Sequence, residues 1–249
     1  MLRHRVIPMV LLDGYSVVKT IKFDVRRNLG NPITVARIYN TRDVDELILL
    51  DIDAAKEQRR IDLVTVEDIT RECFMPLTVG GGLRTCEDIA EALAHGADKV
   101  AINTIFLEDP SVARESARVF GSQCIVVSLD VTCDSDGRYI LHSHSGGRVR
   151  RSFDEAIALC NECEVGEILV NSVDRDGVMT GYDIALIDYA ARRTSIPIIA
   201  AGGAGKPEDC AMIVKAGASA AAAASMFHFT SITPRTCRDA MRDAGIPVR

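Results

Sequence analysis

Two glycine-rich turns with matching surroundings carry the clearest chemical signal in this 249-residue sequence. The segments are "LTVGGGLRT" at 77–85 and "IIAAGGAGK" at 198–206. In both, an apolar run typical of a strand ends in glycines, and a helix pattern follows. Glycine lets backbone N–H groups approach a ligand closely, and a helix N-terminus favours an anion. The turns therefore predict two phosphate sites, although tight strand-to-helix turns without a ligand would explain either turn alone.

The two turns belong to a longer internal repeat. A shift of 121 positions aligns Glu46 with Glu167, Asp53 with Asp174, Pro76 with Pro197, Gly82 with Gly203 and Thr104 with Ser225. Thr104 and Ser225 therefore stand at the same offset beyond the two turns, where each supplies a hydroxyl donor. The repeat favours ligand binding at both turns and predicts a substrate with a phosphate at each end.

The elements that must position these residues alternate regularly. Runs rich in strand-forming residues lie at 5–12, 46–52, 76–79, 99–103, 124–130, 167–172, 197–201 and 218–224, and an amphipathic stretch follows each. Helix-start signals include Asn31-Pro32 and the capping-box spacing of Thr85 and Asp88. Strand then helix, eight times, is typical of a (β/α)8 TIM barrel built from two half-barrels, and we predict one such domain over 1–249. A doubly wound sheet is the competing architecture, but eight units favour closure.

Composition argues against several classes of protein. The net charge is −6 with no long basic run, so we expect no nucleic-acid partner. No apolar run is long enough to span a membrane, and the start, "MLRHRVIPMV", lacks the apolar stretch of a signal peptide, so we expect a cytoplasmic protein that does not enter a membrane. The eight cysteines are scattered, and the pair Cys160 and Cys163 has no second pair of ligands nearby. We therefore predict reduced thiols, no metal site and no cofactor.

Several longer motifs resemble one enzyme family over nearly the whole chain. They are "DELILLDIDA", "TVGGGLRT", "GADKVAINT", "FGSQCIVVSLD", "GEILVNSVDRDG", "AAGGAGK" and "ASMFHF". The sequence is similar to the cyclase subunit of imidazole glycerol phosphate synthase, the synthase partner of a glutamine amidotransferase. The resemblance implies a (β/α)8 barrel that adds ammonia to a bis-phosphorylated ribulosyl substrate and closes an imidazole ring.

The resemblance also implies substrate contacts at the mouth of the barrel. On one side they are Gly82, Asn103 and Thr104, and on the other Asp176, Gly177, Gly203, Ala224 and Ser225. Lys19 matches a substrate-contacting lysine in the mobile first loop. These positions include both glycine turns and both hydroxyl residues of the repeat.

Catalysis in the family uses two aspartates for acid–base steps, at the ends of strands one and five. Asp130, which ends "VVSLD", matches the second. In "PMVLLDGYSVVK" the first position is occupied by Leu11, so the resemblance implies that one catalytic carboxylate is replaced. Asp13 lies two residues further on, which preserves the strand face, and it is a candidate substitute if the strand extends that far. We expect it instead in the following turn with Gly14.

Four charged residues each begin an otherwise apolar strand: Arg5, Glu46, Lys99 and Glu167. In a closed barrel they meet at the bottom, opposite the active-site mouth, and two cations balance two carboxylates. The resemblance implies that this set is a gate through which ammonia enters, and a purely structural plug is the alternative. Because the chain lacks a glutaminase pattern, the resemblance implies a separate glutaminase subunit docked at this face, near Asp98.

Three functions stay open from the sequence. A divergent branch of the family also has a Leu-Leu pair in place of the strand-one aspartate. Its members occur with surface-polysaccharide genes and are thought to support conversion of a sugar N-acetyl group to an acetamidino group with ammonia from a partner. We favour this interpretation because strand one, "VKT", "DIDA" and "ECFMPL" resemble that branch. The alternatives are a true imidazole glycerol phosphate synthase cyclase of histidine biosynthesis and a non-catalytic, phosphate-binding partner that activates a glutaminase.

Overall fold

The described part of the chain forms a closed barrel of parallel strands. The computed structural model describes residues 3–142, 149 and 151–249. Its strands are β1 (Arg5–Asp13), β2 (Ser16–Ile21), β3 (Val25–Gly30), β4 (Leu47–Asp51), β5 (Leu77–Gly80), β6 (Lys99–Ile102), β7 (Ile125–Cys133), β8 (Tyr139–Leu141), β9 (Glu167–Ser172), β10 (Ile198–Ala201) and β11 (Ala220–Ala223). Strands β2, β3 and β8 are antiparallel additions, and the other eight are parallel neighbours. Pairing of β11 with β1 completes the ring, which confirms the predicted (β/α)8 barrel.

Helices follow the barrel strands. In chain order they are α1 (Pro32–Thr41), α2 (Leu63–Thr70), α3 (Cys86–Ala94), α4 (Thr104–Glu108), α5 (Ser111–Phe120), α6 (Phe153–Glu162), α7 (Ile184–Ala191), α8 (Pro207–Lys215), α9 (Ser225–Phe229) and α10 (Pro234–Asp243). Asn31 caps α1 by accepting from the backbone N–H groups of the first turn, and Thr85 with Asp88 forms the predicted capping box of α3. These helix starts are therefore confirmed.

Strand β11 consists of four alanines, which are poor strand formers. All four are buried, and their small side chains face other strands on one side and helices on the other. Burial on both faces therefore outweighs the weak intrinsic propensity. The small side chains of Ala220 and Ala222 also fill little of the barrel interior along this strand.

Strand β1 is longer than the sequence indicated. Its parallel pairing with β4 ends at Leu12, but an antiparallel pairing with β2 carries it on to Asp13, opposite Ser16. The expectation that Asp13 lies in the turn with Gly14 is therefore wrong, because the hairpin of β2 and β3 extends the strand by one residue.

Two apolar layers stabilise the barrel. The larger lies between the strands and the surrounding helices. The smaller fills the barrel interior and consists of Ile7, Met9, Ile48, Ala101, Val126, Leu169, Ile199, Ala201, Ala220 and Ala222. In the described residues, none of the helices has the length and apolar character that a membrane span requires.

Candidate active site

A cavity of about 620 Å³ opens at the carboxyl ends of the barrel strands. Both glycine turns line it, and so do Thr104, Asp130 and Ser225. This is the face at which barrel enzymes of this architecture carry their active sites. The structure thus brings the two halves of the predicted site into one space.

The glycine turns are built in the same way in both halves. A Cβ at Gly82 would lie 1.8 Å from the backbone oxygen of Arg59, and one at Gly203 would lie 2.3 Å from that of Gly181. The preceding loops also donate to the turns, from Ile61 N to Gly81 O at 2.9 Å and from Gly181 N to Gly203 O at 2.8 Å, although these two acceptors are not partners in the repeat. Close packing against the preceding loop therefore requires glycine at both 82 and 203, which the 121-residue repeat aligns.

The backbone N–H groups at the starts of α3 and α8 already have anionic partners. Asp88 Oδ2 accepts from Arg84 N at 2.9 Å, and Asp209 Oδ2 accepts from Gly205 N at 2.9 Å. A further anion at the mouth would consequently lie nearer the glycines and the hydroxyls of the next unit. There, the buried Ser225 Oγ has no hydrogen-bond partner.

Asp130 lies on β7, three residues before the strand ends, between two side-chain amides. Asn103 Nδ2 donates to its Oδ2 at 2.8 Å, and Asn171 Nδ2 donates to its Oδ1 at 2.9 Å. All three residues line the cavity, and Asp130 is buried. The carboxylate is therefore held in a fixed orientation within the site.

Strand β1 contributes an apolar wall to the cavity. Leu11 lines the cavity together with Met9, and it is opposite Leu50 in the pairing of β1 with β4. Asp13 lies outside the set of described residues that line this cavity, and its Oδ2 accepts from Arg26 Nη1 at 2.9 Å. The structure therefore does not bring Asp13 together with Asp130.

The hairpin of β2 and β3 lies across the cavity mouth and is held by ion pairs at both sides. On one side, Lys19 Nζ lies 2.9 Å from Asp176 Oδ1, and Lys22 N donates to Asp176 O at 2.9 Å. A Cβ at Gly177 would lie 2.3 Å from Thr20 O, so the backbones touch there.

On the other side of the mouth, Arg26 forms a two-pronged ion pair with Asp53, in which Nη2 lies 2.6 Å from Oδ1. The hairpin is thus joined to the loops after both β4 and β9.

Sequence reasoning missed three members of this site. They are Asn171, the Arg26–Asp53 ion pair, and Asp51, whose Oδ1 lies 3.2 Å from Arg59 Nη2. Two carboxylates alternating in "DIDA" at the end of an apolar strand were a usable signal for the aspartates. Their arginine partners, Arg26 on β3 and Arg59 in the loop after β4, lie at positions whose contacts the sequence does not specify.

At the opposite end of the barrel, the four predicted charges form one closed network. Arg5 Nη1 lies 2.6 Å from Glu46 Oε2, and Lys99 Nζ lies 2.9 Å from Glu46 Oε1 and 2.5 Å from Glu167 Oε2. Arg5 also pairs with Glu167. Thr78, which the sequence did not single out, donates to Glu46 Oε1 at 3.0 Å. Arg5, Glu46, Lys99 and Glu167 together form the charge quartet.

Mutual pairing keeps Glu167 and Arg5 ionised. Burial alone would raise the pKa of the Glu167 carboxyl, but the hydrogen bond and charge of Arg5, together with Lys99, hold that pKa below its ordinary value. Burial would likewise lower the pKa of Arg5, and its two glutamate partners raise it instead. These two residues therefore form an ion pair at neutral pH.

Asp98 lies beside the charge quartet, immediately before β6. Its Oδ2 accepts from Leu77 N at 2.8 Å, which ties it to the start of β5. On the other side of this face, Asp45 pairs with the buried Arg238 of α10 at 2.9 Å. The base of the barrel is therefore rich in fixed charges.

Comparison with known proteins gives a consistent result. The profile of the family described as "Histidine biosynthesis protein" matches residues 5–233. The imidazole glycerol phosphate synthase subunit HisF of Helicobacter hepaticus is 42% identical over 250 residues, covering 100% of this chain and 99% of that protein. HisF of Caulobacter vibrioides is 42% identical over 252 residues, covering 100% and 97%. A putative imidazole glycerol phosphate synthase subunit hisF2 of Campylobacter jejuni is 42% identical over 249 residues, covering 100% and 99%. The chain therefore belongs to the histidine biosynthesis protein family and is of the HisF type.

Proposed function

We propose that this chain uses ammonia from a separate glutaminase subunit to aminate a small molecule that carries two phosphates. The single observation that best supports this is the cavity shared by two equivalent glycine turns, with Asp130 between them. One phosphate would lie near Gly82, Asn103 and Thr104. The other would lie near Gly177, Gly203, Ala224 and Ser225.

The second phosphate position has the stronger physical support. A buried hydroxyl without a partner costs free energy, and Ser225 Oγ is such a group. A phosphate oxygen would accept from it and remove that cost. The first position is supported by the repeat, which aligns Gly82 with Gly203 and Thr104 with Ser225.

Ammonia would enter at the base. The charge quartet closes this end, and the interior between it and the cavity is apolar and partly lined by alanines. Neutral ammonia crosses such a layer far more readily than ammonium, because burying an unpaired charge is costly. A glutaminase docked over the quartet, with Asp98 at its edge, would supply ammonia where no bulk water competes.

In the cavity, Asp130 would serve as the catalytic base. Its carboxylate would remove a proton from the attacking nitrogen or from the carbon skeleton, which lets the new C–N bond persist. Lys19 would contact a substrate phosphate beside Asp176. Leu11 occupies the position on β1 at which the family resemblance implies a second carboxylate, so any acid step must use another donor.

For the biological role, we favour a divergent paralogue that acts in acetamidino-sugar formation for surface polysaccharides. The apolar wall at Leu11 and the engagement of Asp13 by Arg26 support this. The second candidate is imidazole glycerol phosphate formation in histidine biosynthesis. It is favoured by the retention of both phosphate positions and of the charge quartet.

An assay with the bis-phosphorylated ribulosyl substrate and ammonium salt distinguishes these functions. Turnover by the unmodified chain that is lost in Asp130→Asn supports imidazole formation. No turnover by the unmodified chain, with activity gained in Leu11→Asp but not in the uncharged control Leu11→Asn, supports the paralogue.

A third outcome identifies a non-catalytic partner. In that case the chain stimulates glutamine hydrolysis by a glutaminase, and Asp130→Asn changes nothing in the final product. This result would contradict the proposed chemistry while leaving the docking at the base intact.

A further inference from the structure

Both oxygens of the Asp130 carboxylate accept hydrogen bonds from side chains of the neighbouring units of the barrel. One oxygen accepts from Asn103, which follows β6, and the other accepts from Asn171 on β9. Asp130 and Asn171 are direct register partners of β7 and β9, and they are 7% and 8% exposed.

These two hydrogen bonds favour the charged form of the carboxylate. An ionised carboxylate only accepts hydrogen bonds, so each amide must present its NH₂ group to it. Donation to the charged form stabilises that form over the neutral acid. The same constraint directs Asn171 Oδ1 away from Asp130 and towards Gly202, where a Cβ would lie 2.9 Å from it. Glycine at 202 thus leaves room for the amide.

The opposite half of the barrel has apolar residues at the equivalent positions. Leu11 is the register partner of Leu50, as Asp130 is of Asn171. The 121-residue repeat places Leu50 on Asn171 and Ala224 on Asn103. A polar triad in one half thus corresponds to an apolar triad in the other.

We propose that Asn171 is a positioning residue that, together with Asn103, holds Asp130 ionised and oriented as the base, so that proton removal occurs at the β7 side of the cavity. The inference rests on the proposed function, because it assigns a role within the same reaction. It goes further by naming the residue that makes Asp130 a base.

Other charged groups also face this cavity and must be considered in any pH profile. They are Lys19 with Asp176, Arg26 with Asp53, Asp51 with Arg59, Lys56, Arg84, Glu108 and His142. Changes confined to position 171 leave all of them in place. A shift that appears only in those variants is therefore due to the amide.

Two near-isosteric variants test the assignment in the ammonium-dependent assay. Asn171→Leu removes one donor, and Asn171→Asp places a second carboxylate against Asp130. We expect kcat to fall about tenfold or more in both, with KM changed less than about threefold. The acidic limb of the pH profile should move to higher pH, most in Asn171→Asp, because two adjacent carboxylates share a proton. The matched control Asn161→Asp, on the exposed face of α6, should leave kcat and the profile unchanged.

A substrate-free measurement separates this inference from the proposed function. Carbon-13 NMR of Asp130 should show its carboxylate titrating at higher pH in Asn171→Leu than in the unmodified chain. Asn103→Leu provides the same test if Asn171→Leu does not fold. An unchanged titration in a folded variant would overturn the role of the amides, whatever reaction the chain performs. A shifted titration without turnover would leave the role intact and contradict only the proposed reaction.

Discussion

Lys19 and Asp176, which are 157 residues apart in the sequence, form a buried ion pair with Nζ 2.9 Å from Oδ1. Thr20 Oγ1 donates to the same carboxylate at 2.8 Å. Because Lys19 is 3% exposed, its ammonium reaches a substrate only from within the cavity. The pair therefore couples the hairpin of β2 and β3 to the loop after β9.

Weakening this pair should loosen the hairpin. In Asp176→Asn the charge is lost while the shape is kept, and we expect amide hydrogen exchange over 16–30 to quicken about tenfold or more. The control is Asp174→Asn in the same loop, since the partners of Asp174 are Thr132 and Cys133. Equal exchange in both variants would show that the ion pair does not restrain the hairpin.

Removing the unpartnered hydroxyl of Ser225 should lower the affinity for the ligand without lowering the stability of the fold. Ser225→Ala deletes a buried group that has no partner, so we expect an unchanged or slightly higher Tm. Affinity for a bis-phosphorylated ligand, measured by calorimetry, should fall about tenfold, because a hydrogen bond to a charged oxygen is lost.

Ser116→Ala is the matched control for this prediction, because Ser116 Oγ on α5 is also buried and unpartnered. It should affect Tm in the same way without altering ligand affinity. If Ser225→Ala binds as tightly as the control, the second phosphate does not lie at Ser225.

Breaking the charge quartet should destabilise the fold strongly. Glu167→Gln leaves Arg5 and Lys99 short of one counter-charge, which costs on the order of 3 kcal/mol, or roughly 5–10 °C in Tm. The exposed Glu162→Gln on α6 should change Tm little. A Tm for Glu167→Gln equal to that of the control would mean that the quartet contributes no net stability.

The charge quartet should make the stability of the fold depend on pH in the acid range. The pKa of Glu167 lies below its ordinary 4.5, so its contribution is present above pH 4.5 and is lost as the pH falls below that value. The difference in Tm between the unmodified chain and Glu167→Gln should therefore shrink below pH 4.5. A difference that persists unchanged into that range would contradict the assignment.

His228 should make the stability of the fold depend on pH over a higher pH range. Burial lowers its pKa from 6.5 to about 4, while the unfolded chain takes up the proton near 6.5. Unfolding therefore becomes easier as the pH falls from 6.5 to 4, and His228→Gln should flatten the Tm profile over that window. The control His95→Gln, at the end of α3, should leave the slope as it is.

Much of the fold could be predicted from the sequence because local signals and the repeat agreed. Apolar runs, the caps at Asn31 and Thr85 and the duplicated glycine turns together favoured a barrel. The charge quartet was predictable as well, since four strands that begin with a charge must bring those charges to one end.

The site was less predictable where it depends on non-local contacts. Asp13 was misplaced because the hairpin extends β1, and its partner Arg26 lies on β3. Asn171 was overlooked because an amide in an apolar strand gives no signal until its register partner is known.

The most direct measurement is the stoichiometry of phosphate binding to the purified chain. Calorimetry with inorganic phosphate should give two sites per chain, and one molecule of the bis-phosphorylated ribulosyl substrate should displace both ions. A single phosphate per chain, or a bis-phosphorylated ligand that leaves one ion bound, would contradict a substrate that spans both glycine turns.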